Sequence, residues 1–225
     1  MIDVVSMRLP LKSRDKISLM RNYLYIWHEP RINRVMMSGV HFADFLPSLQ
    51  GVGGLLLLRH EFSDAHFDRA TGFDSVQAEQ IEELVQENLY NYGDFCWADY
   101  GPNSNYDRLS DEAIAELAFF RHIARPLRSV PVPGLGNRFL CYAHDDGWYA
   151  SVYYSNWILI EELLQRLLPN LLSEQEAGRT IESLAKTDVA FWISTNNIIE
   201  CEKTNDIDRL QIKYLKPSPS NQAGG

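Results

Sequence analysis

Residues 137–157 read NRFLCYAHDDGWYASVYYSNW, and the Asp146-Gly147 pair at their centre predicts a β-hairpin. The turn between two aromatic and aliphatic runs needs positive φ, which Gly adopts without a Cβ clash. A two-residue loop then pairs Asp145 with Trp148 and His144 with Tyr149. Counting outward, Leu140, Tyr142, His144, Tyr149, Ser151 and Tyr153 share one face of the ribbon. Phe139, Cys141, Ala143, Trp148, Ala150, Val152 and Tyr154 share the other. The second face is the more apolar and should meet the core. A slip of one residue would exchange the two faces, so the register is part of the expectation.

Downstream, residues 156–168 are aliphatic nearly all round, which predicts a central helix ended by Pro169. Ser173 and Glu176 form a capping box that opens a helix to about Lys186. Residues 189–193 read as a strand, and 198–202 with 210–215 as a final hairpin across Asn205-Asp206. Upstream, residues 110–125 form a helix. Ser110 caps it, Asp111 and Glu112 lie in its first turn, and Arg121, His122 and Arg125 lie in its last. That charge order suits the helix dipole. Residues 95–100 read as a strand.

The stretch 74–92 also reads as a helix. Asp74 and Gln77 offer a capping box, and Ile81, Leu84, Val85 and Leu89 an apolar stripe. Glu79, Glu82, Glu83 and Glu87 would then face water. A strand over 55–62 follows Gly51-x-Gly-Gly54, itself preceded by a short helix over 40–49 interrupted at Pro47. A phosphate-cradling loop follows a strand and opens a helix, so these glycines are read as a connector. Residues 12–27 read as a helix running into a short strand. Mixed element order with two hairpins predicts α+β: one domain over 1–216, a mostly antiparallel sheet, and helices on one face. The Pro/Gly-rich segment 217–225 reads as a disordered tail.

Composition bounds the function. Cys96, Cys141 and Cys201 are three in number and form no C-x-x-C pair, so free thiols in a reducing cytoplasm are expected. No stretch approaches the roughly 20 apolar residues of a membrane span. The first residues lack the apolar region of a signal peptide. Net charge is −9, concentrated in residues 61–116, where fourteen acids face only Arg69 and Arg108. That balance argues against phosphate-backbone binding and favours a basic partner protein.

Two function classes follow. The first is a non-catalytic, immunity- or antitoxin-like protein that covers a basic partner. Its docking residues would be Glu79, Glu82, Glu83 and Glu87 with Trp97, Tyr100 and Tyr106; Tyr90 and Tyr92 lie in the same block. Aromatics supply anchors and acids supply steering. The second is a small hydrolase using His144, Asp145 and Asp146 at the hairpin tip, where an imidazole beside carboxylates can act as general base. Asp145 and Asp146 are also ordinary turn formers.

Other clusters are weaker. His60, Glu61, Asp64, His66 and Asp68 carry metal-ligating atoms but lack the spacing of a helical zinc site, so no metal is expected. His122 with Arg125 and Arg128 offers an anion pocket, although last-turn cations have their own helical reason. No motif calls for a cofactor.

At FCWAD (95–99), LSDEAIAELAFF (109–120) and NRFLCYAHDDGWY (137–149) the chain resembles a group of uncharacterised soluble bacterial proteins. Some of that group carry an oxalate:formate antiporter label. An antiporter needs several membrane-spanning helices, so the label does not transfer. The resemblance spans roughly residues 90–155 and implies no catalytic residues.

Overall fold

In a computed structural model of the chain, residues 22–59, 65–69, 71–86, 94–104, 106–123, 129–144 and 149–201 are described. Their strands are β1 (Tyr23–Glu29), β2 (Arg34–Ser38), β3 (Gly54–Arg59), β4 (His66–Asp68) and β5 (Phe73–Gln77). They continue with β6 (Phe95–Tyr100), β7 (Phe139–His144), β8 (Tyr149–Tyr154), β9 (Ala190–Ser194) and β10 (Asn197–Cys201). The helices are α1 (Ile81–Leu84), α2 (Asp111–Ile123), α3 (Trp157–Leu167) and α4 (Glu174–Lys186). All ten strands join one sheet in the order β10-β9-β1-β2-β8-β7-β6-β3-β5-β4. Every recorded pairing is antiparallel. The α+β class with an antiparallel sheet is therefore as expected.

The central hairpin has the expected register, with His144 opposite Tyr149 and Phe139 opposite Tyr154. Its tip, residues 145–148, lies outside the described residues. Phe139, Cys141, Ala143, Ala150, Val152 and Tyr154 enter the main core. There they meet α1, α3, α4 and the 3-10 helix Phe42–Leu49, which runs through Pro47. The opposite face is buried as well. Leu140, Tyr142 and Tyr153 pack with Leu117 and Phe120 of α2 in a second cluster. α2 therefore lies across the sheet from α1, α3 and α4. Leu55–Leu58 explains why: all four leucines of β3 are buried, so both faces of the sheet need cover. A third cluster on the α2 face joins Tyr25, Trp27, Met36, Ala190 and Cys201.

Several elements differ from the sequence reading. Through residue 86 the helix expected over 74–92 is replaced by β5 over Phe73–Gln77, a 3-10 turn over Ala78–Gln80 and the four-residue α1, and 87–92 lie outside the described residues. Asp74 pairs with Leu57 instead of capping a helix, and the capping box sits three residues on, between Gln77 and Gln80. Pairing with β3 and β4 on both sides overrides a local helical pattern. β1 takes up the short strand expected at the end of 12–27 and forms a hairpin with β2 turned by Asn33 at φ 49°, while the helix expected before it, over 12–21, lies outside the described residues. β10 pairs with β9 through Asn196 at φ 56°, while residues 210–215 and 217–225 lie outside the described residues.

α3 is amphipathic: Ile160, Leu163, Leu164 and Leu167 are buried, while its opposite face is exposed. Ser110 and Ser173 cap α2 and α4 as their positions suggested. Gly51-x-Gly-Gly54 connects a helix to a strand, as expected.

Candidate functional site

The predicted docking residues separate. Glu79, Glu82 and Glu83 are exposed, and Glu87 lies outside the described residues. Trp97 is 1% exposed and sits edge-on against Phe42, Phe45 and Phe139 in the main core. Tyr100 is 3% exposed in the second cluster, its ring 4.6 Å from that of Tyr106. Trp97 and Tyr100 are thus core residues and cannot anchor a partner. Phe95–Tyr100 is a central strand buried on both faces, so its aromatics are divided between two cores.

The predicted catalytic group lies largely outside the described residues. His144 closes β7, but its side chain and residues Asp145 and Asp146 lie outside the described residues. The side chain of His122, with Arg125 and Arg128, also lies outside them. So do His60, Glu61, Asp64 and the side chain of Asp68, whereas His66 is exposed on β4. Among the described residues no three His, Cys, Asp or Glu side chains are placed to hold a metal ion.

Two buried ionisable groups hold the scaffold together. Asp99 Oδ1 accepts from the N–H groups of Phe139 at 2.6 Å and Arg138 at 3.0 Å. The Arg138 guanidinium then donates to the carbonyls of Ser48 and Gln50. Burial pushes the Asp99 carboxyl up to about 6 against these opposing hydrogen bonds. His28 is 1% exposed and bridges the sheet to α4 and α3. Burial lowers its pKa.

A groove of about 550 Å³ opens to solvent between α3 and α4. Trp157, Glu161 and Gln165 line it from α3, spaced four residues apart. Gly178, Ile181, Glu182 and Ala185 line it from α4, and Glu174 stands at the helix start. These positions recur every three or four residues, so they form one stripe along each helix. Trp157 and Ile181 make an apolar floor, and Ile158, 55% exposed, adjoins Trp157.

The charged residues lining the groove are all carboxylates. Glu182 is held by Lys186 at 2.5 Å, which keeps its carboxyl below the usual range. Glu161 accepts from the Gln165 amide at 3.2 Å. The arrangement holds no nucleophile beside a base; it offers negative charge around an apolar strip.

Nothing in the amino-acid sequence pointed to this groove, because it exists only where two helices meet. The capping box at Ser173 was the nearest signal, since it set the start of α4. The fold and groove define an α+β protein whose described residues form a ten-stranded antiparallel sheet with an acidic, apolar-floored cleft in its helical layer. No protein-family model, curated protein or solved structure matches the chain. Among the described residues no helix is long and apolar enough to cross a membrane.

Proposed function

We propose that this is a non-catalytic acidic interaction protein, of immunity or antitoxin type, that docks a basic partner protein in the cytoplasm. The docking surface is the α3–α4 groove rather than the 79–87 block with its aromatics. One observation carries the reading: the lining charges of the groove are carboxylates around an apolar floor. Apolar area at the centre supplies affinity, and flanking charge steers the partner and fixes its register. The overall charge of −9 acts in the same direction at longer range.

The test is binding of a panel of Lys- and Arg-rich peptides, followed by fluorescence anisotropy at low and physiological salt. Affinity should fall as salt rises, since exposed charges are screened over about 8–10 Å at physiological ionic strength. The double variant Glu161→Gln, Glu174→Gln should weaken binding by about tenfold, in line with loss of flanking charge. Glu79→Gln, Glu82→Gln should leave it unchanged. Binding that ignores the groove variant, or no binding at any salt, would refute the proposal.

A further inference from the structure

We infer that the element received by the groove is an amphipathic α-helix of the partner, basic on both flanks and apolar or small along the buried stripe. The inference rests on the docking reading above and specifies what is docked.

The first argument is the shape of the groove. α3 and α4 are joined by the short segment 168–173 and lie side by side, so the groove runs along their length. From Trp157 to Gln165 is about 12 Å at 1.5 Å per residue, a little over two turns of a third helix. A helix laid between two others repeats ordinary ridge-and-groove packing.

The second argument is hydrogen bonding. An extended segment binds well where a sheet edge offers backbone partners. The mid-helix residues that line this groove have backbones occupied by their own intrahelical bonds. An extended chain would enter with its N–H and C=O groups unmet, whereas a helix arrives with them already satisfied.

The third argument is Gly178. Glycine in a helix interior is less favourable than alanine because it gives up more backbone freedom. Gly178 occupies the middle of α4, and a Cβ there would meet nothing within 4 Å. Its backbone is not among those with positive φ. Neither the packing of this chain nor its local conformation asks for glycine at that point. Yet Gly178 is exposed and lines the groove. A residue without a side chain there lets a partner backbone come close to α4. Ala185, two turns on, keeps the same line low.

Charge then sets the flanks. Glu161 on the α3 side and Glu174 on the α4 side stand on opposite rims, so Lys or Arg is needed on both sides of the docked helix. Glu182 joins them only by exchanging Lys186 for a partner cation.

The experiment compares two synthetic peptides of identical composition. One is a Lys/Leu/Ala amphipathic helix with an interior apolar stripe and a terminal Pro; the other carries that Pro at its centre. Each is titrated into the full-length protein, its Gly178→Leu and Gly178→Ala variants, and Glu161→Gln. The helical peptide should bind the parent protein about tenfold tighter than the Pro-broken isomer, because its ordering cost is already met. Gly178→Leu should remove that preference, and Gly178→Ala should reduce it while the melting temperature holds or rises. Glu161→Gln should weaken both peptides. Equal binding of the two peptides, still sensitive to Glu161→Gln, would overturn the helical inference and leave the docking reading standing. Binding by neither peptide, or insensitivity to every variant, would overturn both.

Discussion

His28 and Tyr154 meet in the core with the imidazole Nε2 2.6 Å from the tyrosine hydroxyl. The other ring nitrogen, Nδ1, lies 2.5 Å from the carbonyl of Leu184. A carbonyl only accepts, so Nδ1 carries the proton and Nε2 accepts from the Tyr154 hydroxyl. Leu184 sits in the last turn of α4, where carbonyls lack intrahelical partners. The His28 ring centroid lies 4.5 Å from that of Trp157 at the floor of the groove. One side chain of β1 thereby ties α4, β8 and the start of α3 into a single arrangement.

Replacing His28 with Phe should destabilise the fold by about 2–4 kcal/mol, since it strands a buried carbonyl and a buried hydroxyl. Chemical denaturation measures this, and a change under half a kcal/mol would contradict the bridging role. The parent protein should also lose stability as pH falls below about 6.5, the ordinary histidine value. Burial lowers the pKa of His28 in the native state, so the unfolded chain binds the proton first. The Phe variant should lack that component.

Asp99 should act in the opposite sense. Its native pKa of about 6 lies above the unfolded 3.8, so the native state holds the proton more tightly. Its contribution is fully present below pH 3.8 and is lost as pH rises through about 6. Asp99→Asn keeps an acceptor for Phe139 N–H and removes the titration. The stability difference between variant and parent should therefore shift toward the variant between pH 4 and 7, by about 3 kcal/mol from a two-unit shift. Paired denaturation curves across that range would show it; a constant difference would contradict it.

Two glycines should respond in opposite directions. A Cβ on Gly54 would collide with the Val76 carbonyl, which is backbone of the neighbouring strand, and with the hydroxyl of the buried Tyr100 side chain. Gly54→Ala should cost about 3 kcal/mol or more, or prevent folding, because an overpacked core cannot relax. Gly178→Ala meets open space and should stabilise the free protein by up to about 1 kcal/mol through helix propensity alone. Thermal melts of the two variants check both signs together.

The three cysteines should resist thiol reagents in the native protein. Cys96, Cys141 and Cys201 are buried, and burial raises all three thiol pKa values. Labelling must wait for local opening. Cys201, at 9% exposure on β10, the outermost of the described strands, should react first. Mass spectrometry after timed labelling would establish the order, and immediate reaction at Cys96 would contradict it.

Local features were legible in the sequence. The 139–154 hairpin needs only alternation and a tight turn, and its register follows from those. Ser110, Ser173 and Pro169 bound their helices through contacts within four residues. The 74–92 helix was misread because its apolar spacing fits a helix, whereas Phe73–Gln77 is claimed by β3 on one side and β4 on the other. β1 is legible only in part, as the short strand closing 12–27, for a related reason. Its residues are buried on both faces, so the alternation that marks a strand is absent.

What residues 1–225 settled unaided is the α+β class, the central hairpin with its faces, and the caps of two helices, all products of short-range chemistry. Tertiary structure alone decided which aromatics are core, that α2 crosses to the far face, and that an acidic cleft forms between α3 and α4. Trp97 reads as an anchor until its strand is sandwiched; Gly178 reads as ordinary until a helix beside it leaves open space. Both depend on what distant segments bring alongside, and no spacing along the chain encodes that.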